Sequence, residues 1–129
     1  MGGREPRAVI DDDHLRQMTL GDRDLEREVL EIFVRQAALM LRRISGAKPA
    51  LAAAAAHTLK GSARGIGAWR VAQAADRLEQ AAGDESLEAF KAAVAELETA
   101  SREARAAILA RLADHCEDAG ATSPLRRGE

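Results

Sequence analysis

The stretch Ala52-Ala53-Ala54-Ala55-Ala56-His57-Thr58-Leu59-Lys60-Gly61-Ser62-Ala63-Arg64-Gly65-Ile66-Gly67-Ala68 decides how this chain is read. Ala is the strongest helix former, so the alanine run commits the segment to a helix. Gly65 and Gly67 bracket Ile66 and mark where that helix stops and the chain reverses. On a wheel of about 100° per residue, Leu51, Ala55, Leu59, Ser62 and Ile66 make one stripe that must face a core. His57 falls nearly opposite, roughly 240° from Leu51. Ala53, Lys60, Gly61 and Arg64 are its neighbours on that outer face.

The pattern gives an outward imidazole with two cations beside it and no bulk around it. A lone histidine on a helix surface is usually only a solvated side chain. Gly61 argues for more, because glycine inside a helix costs about 0.5–1 kcal/mol relative to alanine. Small residues a turn either side of an exposed histidine leave its ring open to close approach by a partner. Lys60 and Arg64 would favour a negative charge placed on that ring.

The run His57-Thr58-Leu59-Lys60-Gly61-Ser62-Ala63, preceded by Ala56 and followed by Gly67-Ala68, resembles the signature of histidine-containing phosphotransfer (HPt) domains of two-component phosphorelays. The resemblance implies that His57 is a phosphoacceptor, relaying a phosphoryl group between receiver-domain aspartates. It implies receiver domains and a sensor or hybrid histidine kinase as partners. Lys60 and Arg64 would then stabilise the phosphohistidine and steer the acidic receiver site. Ala53 and Gly61 would let the receiver lie flat over His57. In some HPt domains a polar residue on the preceding helix hydrogen-bonds the histidine, and Gln36 is the candidate here; otherwise it is a half-exposed glutamine. Glu79 occupies the position of a Glu that commonly follows Leu in the family's last signature turn, with an arginine of a neighbouring helix as its expected partner.

Composition bounds the rest. Among 129 residues, 47% are hydrophobic and 2% aromatic, with no Tyr, one Trp and two Phe. Such Ala-, Leu-, Glu- and Arg-rich content predicts an all-helical domain. The net charge of −2 and a pI near 6.0 give no support for nucleic-acid binding. No apolar run reaches the roughly 18 residues that span a bilayer. The opening residues lack the apolar core of a signal peptide. Cys116 is alone, so no disulfide framework exists. A reduced, cytoplasmic setting is the expectation, as is a monomer. Met1 and the tail favour a complete small protein, though the excised phosphoacceptor module of a chemotaxis-type kinase would look similar.

In chain order, Asp11 caps a short helix that ends near Thr19, with Ile10 and Leu15 as its hydrophobic staple. His14 reads as a surface residue. Asp22 caps the next helix, whose stripe is Leu25, Val29, Ile32, Phe33, Val34, Ala37, Met40, Leu41 and Ile44. Gly46 and Pro49 suit the loop before the histidine helix. Ala68, Val71, Ala75, Leu78 and Ala82 continue at helical spacing, with Trp69 expected to pack into the core and a partner contact as its second use. Asp84 caps a last helix carrying Leu87, Phe90, Val94, Leu97, Ser101, Ala104, Ile108 and Arg111. The expected architecture is all-α: an antiparallel four-helix bundle over residues 8–112 with a short additional N-terminal helix, and flexible tails at 1–7 and 113–129.

No nucleotide-binding loop, acidic metal cluster or general base is visible. His115 and Cys116 adjoin, but a metal site needs more ligands. Phosphoryl transfer needs a metal and positioned donors. The chain holds no cofactor of its own, and the resemblance implies that the receiver supplies an Asp, a Lys and Mg²⁺. The expected role is a phosphotransfer intermediate rather than a self-sufficient enzyme. The remaining alternative is a non-phosphorylated helical adaptor that binds receivers through the same face.

Overall fold

The structure, a computed structural model, describes residues 9–84 and 86–122, with side chains described as far as Asp114. Five helices and no strand occur among the described residues: α1 Asp12–Met18, α2 Arg23–Ile44, α3 Pro49–Ile66, α4 Trp69–Ala82 and α5 Leu87–Thr122. None of the described helices is long and apolar enough to cross a membrane. α3 packs on α2 and α4, α4 on α5, and α5 on α2, so the long helices close a ring of neighbours. Leu15, Leu30, Leu59, Leu78, Leu97 and Ile108 fill its interior, each wholly buried.

The helix ends follow local chemistry. Asp11 Oδ1 accepts from the His14 amide at 3.1 Å, capping α1. Ile10 and Leu15, on either side of that cap, are both buried, as a staple requires. Asp22 Oδ1 caps α2 by accepting from the amides of Asp24 and Leu25 at 3.0 and 3.1 Å. Pro49 opens α3. The start of α5 differs from expectation. Ser86 Oγ accepts from the Ala89 amide at 3.1 Å, so Ser86 is the cap, and Asp84 sits two residues too early.

α3 runs through Gly65 and ends at Ile66 in a Schellman turn. Ala68 N donates to Ala63 O at 2.8 Å, and Gly67 N to Arg64 O at 3.3 Å. Gly67 has φ +79°, and a Cβ there would sit 2.9 Å from Asp11 Cβ. Asp11 N donates to Gly67 O at 3.0 Å, so the start of α1 lies directly on this corner.

Three sequence expectations shift in rotation. On α3, Leu51 is 65% exposed, while Ala52, Ala56 and Ala63 are buried. The helix is rolled toward its alanines because small side chains admit a close neighbour, and an all-alanine wheel does not mark which side that is. On α2 the buried line is Leu30, Phe33, Ala37, Met40 and Ile44, and Leu25 and Ile32 face outward. Trp69 is not core: it sits 38% exposed beside α1. Finally, α5 continues as helix to Thr122, past the expected end at Leu112. Residues 1–7 and 123–129 of the expected tails lie outside the described residues, as do the side chains of His115 and Cys116.

Candidate functional site

The site is built on the hairpin of α3 and α4. The Gly67–Ala68 corner is short, so the two helices run back along each other in a fixed register. Reflecting a residue of α3 through Ala68 gives its partner on α4: His57 falls on Glu79, and Lys60 on Asp76.

The His57 side chain is 70% exposed. Its Nδ1 lies 2.8 Å from Glu79 Oε2. A carboxylate can only accept, so Nδ1 carries the proton and Nε2 presents a lone pair to solvent. Lys60 Nζ contacts Glu79 Oε1 at 2.5 Å and Asp76 Oδ1 at 3.0 Å. Gln80 Nε2 donates to Asp76 Oδ2 at 2.8 Å and closes the row. Burial pushes the Glu79 carboxyl up, but the hydrogen bonds from Lys60 and His57 outweigh it and hold the group below the ordinary range. Lys60 is held above its ordinary value by its bonds to Glu79 and then Asp76.

The arrangement changes the expected parts of several residues. Lys60 does not reach into solvent beside the imidazole. Its side chain is only 13% exposed and spans to α4, where the hairpin register sets two carboxylates opposite it. Glu79 pairs with His57 and Lys60 rather than with an arginine of a neighbouring helix. The arginines of α4 are engaged elsewhere: Arg70 with Glu103 and Arg77 with Glu96, both on α5. Gln36 is not at the histidine. Its Oε1 accepts from Ser62 Oγ at 2.5 Å, on the α2 side of α3. Arg64 is exposed on the histidine's face, and no side-chain partner is found for it among the described residues.

Around the ring the surface is low. Ala53 is half-buried and Ala54 exposed. A Cβ on Gly61 or Gly65 would meet nothing within 4 Å. Their lack of a side chain therefore serves no internal packing. Beyond them, a shallow cleft is lined by Met18, Val29, Ile32, Gln36, Ser62 and Gly65. Its rim includes Met18 and Ile32, 56% and 46% exposed. Among the described residues no group of His, Cys, Asp and Glu could hold a metal ion.

A second cluster ties α1 to the hairpin. Asp11 Oδ2 accepts from Trp69 Nε1 at 2.8 Å. The His14 and Trp69 rings lie 4.9 Å apart at 58°. His14 Nε2 donates to Arg64 O at 2.8 Å, covering a carbonyl of the last turn of α3. The bond from Trp69, then that from the His14 amide, holds the Asp11 carboxyl below its ordinary range. His14 thus has a structural use that its position in sequence did not show.

No curated protein sequence matches the chain. A rice protein described as a histidine-containing phosphotransfer protein superposes with a TM-score of 0.70 at 20% identity, over 80% of this chain and 79% of that one. That likeness shows the fold. Histidine phosphotransferase ShpA from Caulobacter crescentus superposes with a TM-score of 0.52 at 34% identity, over 81% of this chain and 99% of that one. The Hpt domain family model matches residues 28–122, which takes in the whole of the α3–α4 hairpin. With most of its length matched in this way, the chain belongs to the Hpt domain family.

Proposed function

We propose that the protein relays a phosphoryl group between receiver-domain aspartates through a phosphohistidine at His57. The observation that carries this is the Nδ1–Glu79 bond at 2.8 Å. It leaves Nε2, the nitrogen farther from the backbone, as the nucleophile. In the forward step the Nε2 lone pair attacks phosphorus of an aspartyl phosphate. The N–P bond forms as the P–O bond to the aspartate breaks, and the aspartate leaves as a carboxylate. The ring then carries positive charge, which the Glu79 carboxylate stabilises through Nδ1–H. The reverse sequence loads a second receiver. In this reading the receiver would supply the metal and lysine that serve the transferring group.

Within this reading Lys60 is a positioning residue, because it holds Glu79 in place. Arg64 is the cation free to meet the phosphoryl oxygens. Ala53, Gly61 and Gly65 form the low ground on which the receiver lies, and the Met18–Ile32 cleft extends that surface. The hairpin registers, Glu79 to His57 and Glu96 to Arg77, support an antiparallel four-helix bundle with α1 across one end.

The test is incubation with Mg²⁺ and phosphorylated receiver domains, beside a His57→Gln control. Acid-labile, base-stable label on the wild type alone is expected. Absence of label from receivers, and from a kinase core with ATP, would overturn the proposal in favour of an adaptor. Labelling by the kinase core alone would make the protein a kinase's phosphoacceptor module.

A further inference from the structure

Away from the histidine, the seam between α2 and α5 is the loosest contact between neighbouring long helices. It leaves a groove of about 540 Å³ between them. Because α3 and α4 form the opposite side of the ring, this groove shares no helix with the His57–Glu79 pair.

Its floor is apolar. Phe33, Ala37 and Leu41 come up from α2, and Val34 and Ala38 widen the strip. Ser101 lies in the opposing wall on α5, only 5% exposed, with no hydrogen-bond partner for its Oγ. A buried hydroxyl without a partner costs stability.

The rims are cationic. Arg35 stands on the α2 side, and Arg102 and Arg105 on the α5 side. All three are exposed, and no ion pair or hydrogen bond is found for any of their side chains among the described residues. Glu98, half-buried in the same wall, is the one acidic group among the described residues of the lining. Arg70, Arg77 and Arg111, by contrast, each have a carboxylate.

We propose that the α2–α5 groove is a second docking site, which takes an amphipathic helix with acidic flanks. An apolar strip two helical turns long fits an apolar ridge at three-four spacing. Arginines on both rims ask for carboxylates on both sides of that ridge. A single-headed amphiphile would carry its charge at one end only. The groove lies off the α3–α4 hairpin, so a partner held here leaves the His57 ring open, and it meets the Met18–Ile32 cleft at Phe33. The inference does not depend on the role of His57.

The probe is a synthetic stapled helix with a leucine seam and glutamate on both flanks, labelled for anisotropy. A second peptide carries lysine in place of glutamate. Sodium dodecanoate is the amphiphile control. The expected result is binding of the glutamate peptide, with amide shifts at Ala37, Ala38 and Ser101, weakened by salt. Arg102→Gln combined with Arg105→Gln should weaken it roughly tenfold. The two arginines are exposed and unpaired, so the variant keeps its fold, which a melting curve checks.

Equal binding of the lysine peptide would overturn the proposal, as would failure of the glutamate peptide to bind. Groove shifts with dodecanoate but not with peptide would make the site one for an amphiphile. Sedimentation that shows self-association, lost in the double variant, would assign the groove to a second copy of the chain.

Discussion

Glu79 Oε2 stands 2.8 Å from His57 Nδ1, and Glu79 Oε1 stands 2.5 Å from Lys60 Nζ. One carboxylate thus holds the imidazole proton with one oxygen and is itself anchored by the other. The histidine is oriented by its neighbour across the hairpin, while its outer nitrogen stays free.

Removing that carboxylate should slow the relay without stopping it. Glu79→Ala frees the ring to rotate and lets either nitrogen take the proton. Loss of an orienting partner typically costs about 10–100-fold in activity. Transfer rates from a phosphorylated receiver measure the effect, and ¹⁵N chemical shifts of His57 show the tautomer mixture directly. A normal rate with mixed tautomers would show that orientation by Glu79 is unimportant.

Gly61 offers two outcomes of opposite sign. A methyl group there meets nothing within 4 Å. Gly61→Ala should therefore raise stability by about 0.5–1 kcal/mol, through helix propensity alone. Gly61→Leu should keep the fold but block receiver docking. Melting curves and transfer rates on the pair separate the two effects, and a fast Gly61→Leu protein would refute the docking role.

The charged row predicts a stability profile in pH. Glu79 is held below its ordinary value, so its contribution is complete above that value. It fades as pH falls below about 4.5 and through the lowered folded value. Lys60 is held above its ordinary value, so its contribution is complete on the neutral side and is lost as pH rises through the folded value. Lys60→Met should flatten the acid limb of the denaturation curve, because Glu79 then loses the cation that lowers it. An unchanged acid limb would show that the pair contributes little.

Trp69 is the sole tryptophan, and Asp11 accepts from its indole. Its fluorescence should therefore report whether α1 is seated. Asp11→Ala removes both a helix cap and the indole's acceptor, at a cost of about 0.5–2 kcal/mol for the cap alone. In the wild type the Asp11 carboxyl is held low, so the clamp is complete at neutral pH and loosens only in acid. A fluorescence change at neutral pH without global unfolding would contradict this.

Gly67→Ala should be the most damaging glycine substitution. It places a side chain at φ +79° and drives Cβ to 2.9 Å from Asp11 Cβ. The left-handed conformation alone costs roughly 1–2 kcal/mol. Chemical denaturation checks the loss, and a fully stable variant would mean that the α1 corner can move aside.

Much of this was legible in the sequence, and the failures have identifiable causes. The caps at Asp11 and Asp22, the corner at Gly67 and the exposure of His57 follow from short-range chemistry that a local pattern records. The face of α3 does not, because alanines give a wheel no contrast, and the neighbours decide the roll. Trp69 reads as core because it is large, yet its indole N–H needs an acceptor, which Asp11 supplies at the surface. Family resemblance puts Gln36 beside the histidine, whereas the roll of α3 turns Ser62 toward it. Glu79 and Asp76 were missed as partners, although the signal was present: both sit where the hairpin reflects His57 and Lys60. That signal rests on the tightness of the corner at Ala68, which spacing alone does not give.

The same reflection limits how this segment can vary. One residue inserted between His57 and Glu79 would turn one limb of the hairpin by about 100° against the other. The histidine would then face a different residue, and Lys60 would lose both carboxylates. The loop around Gly46 carries no such requirement, and doubling a loop's length costs only about 0.6 kcal/mol. The chain can therefore lengthen between α2 and α3 at little cost, while the spacing from His57 to Glu79 admits no insertion or deletion that leaves the site intact.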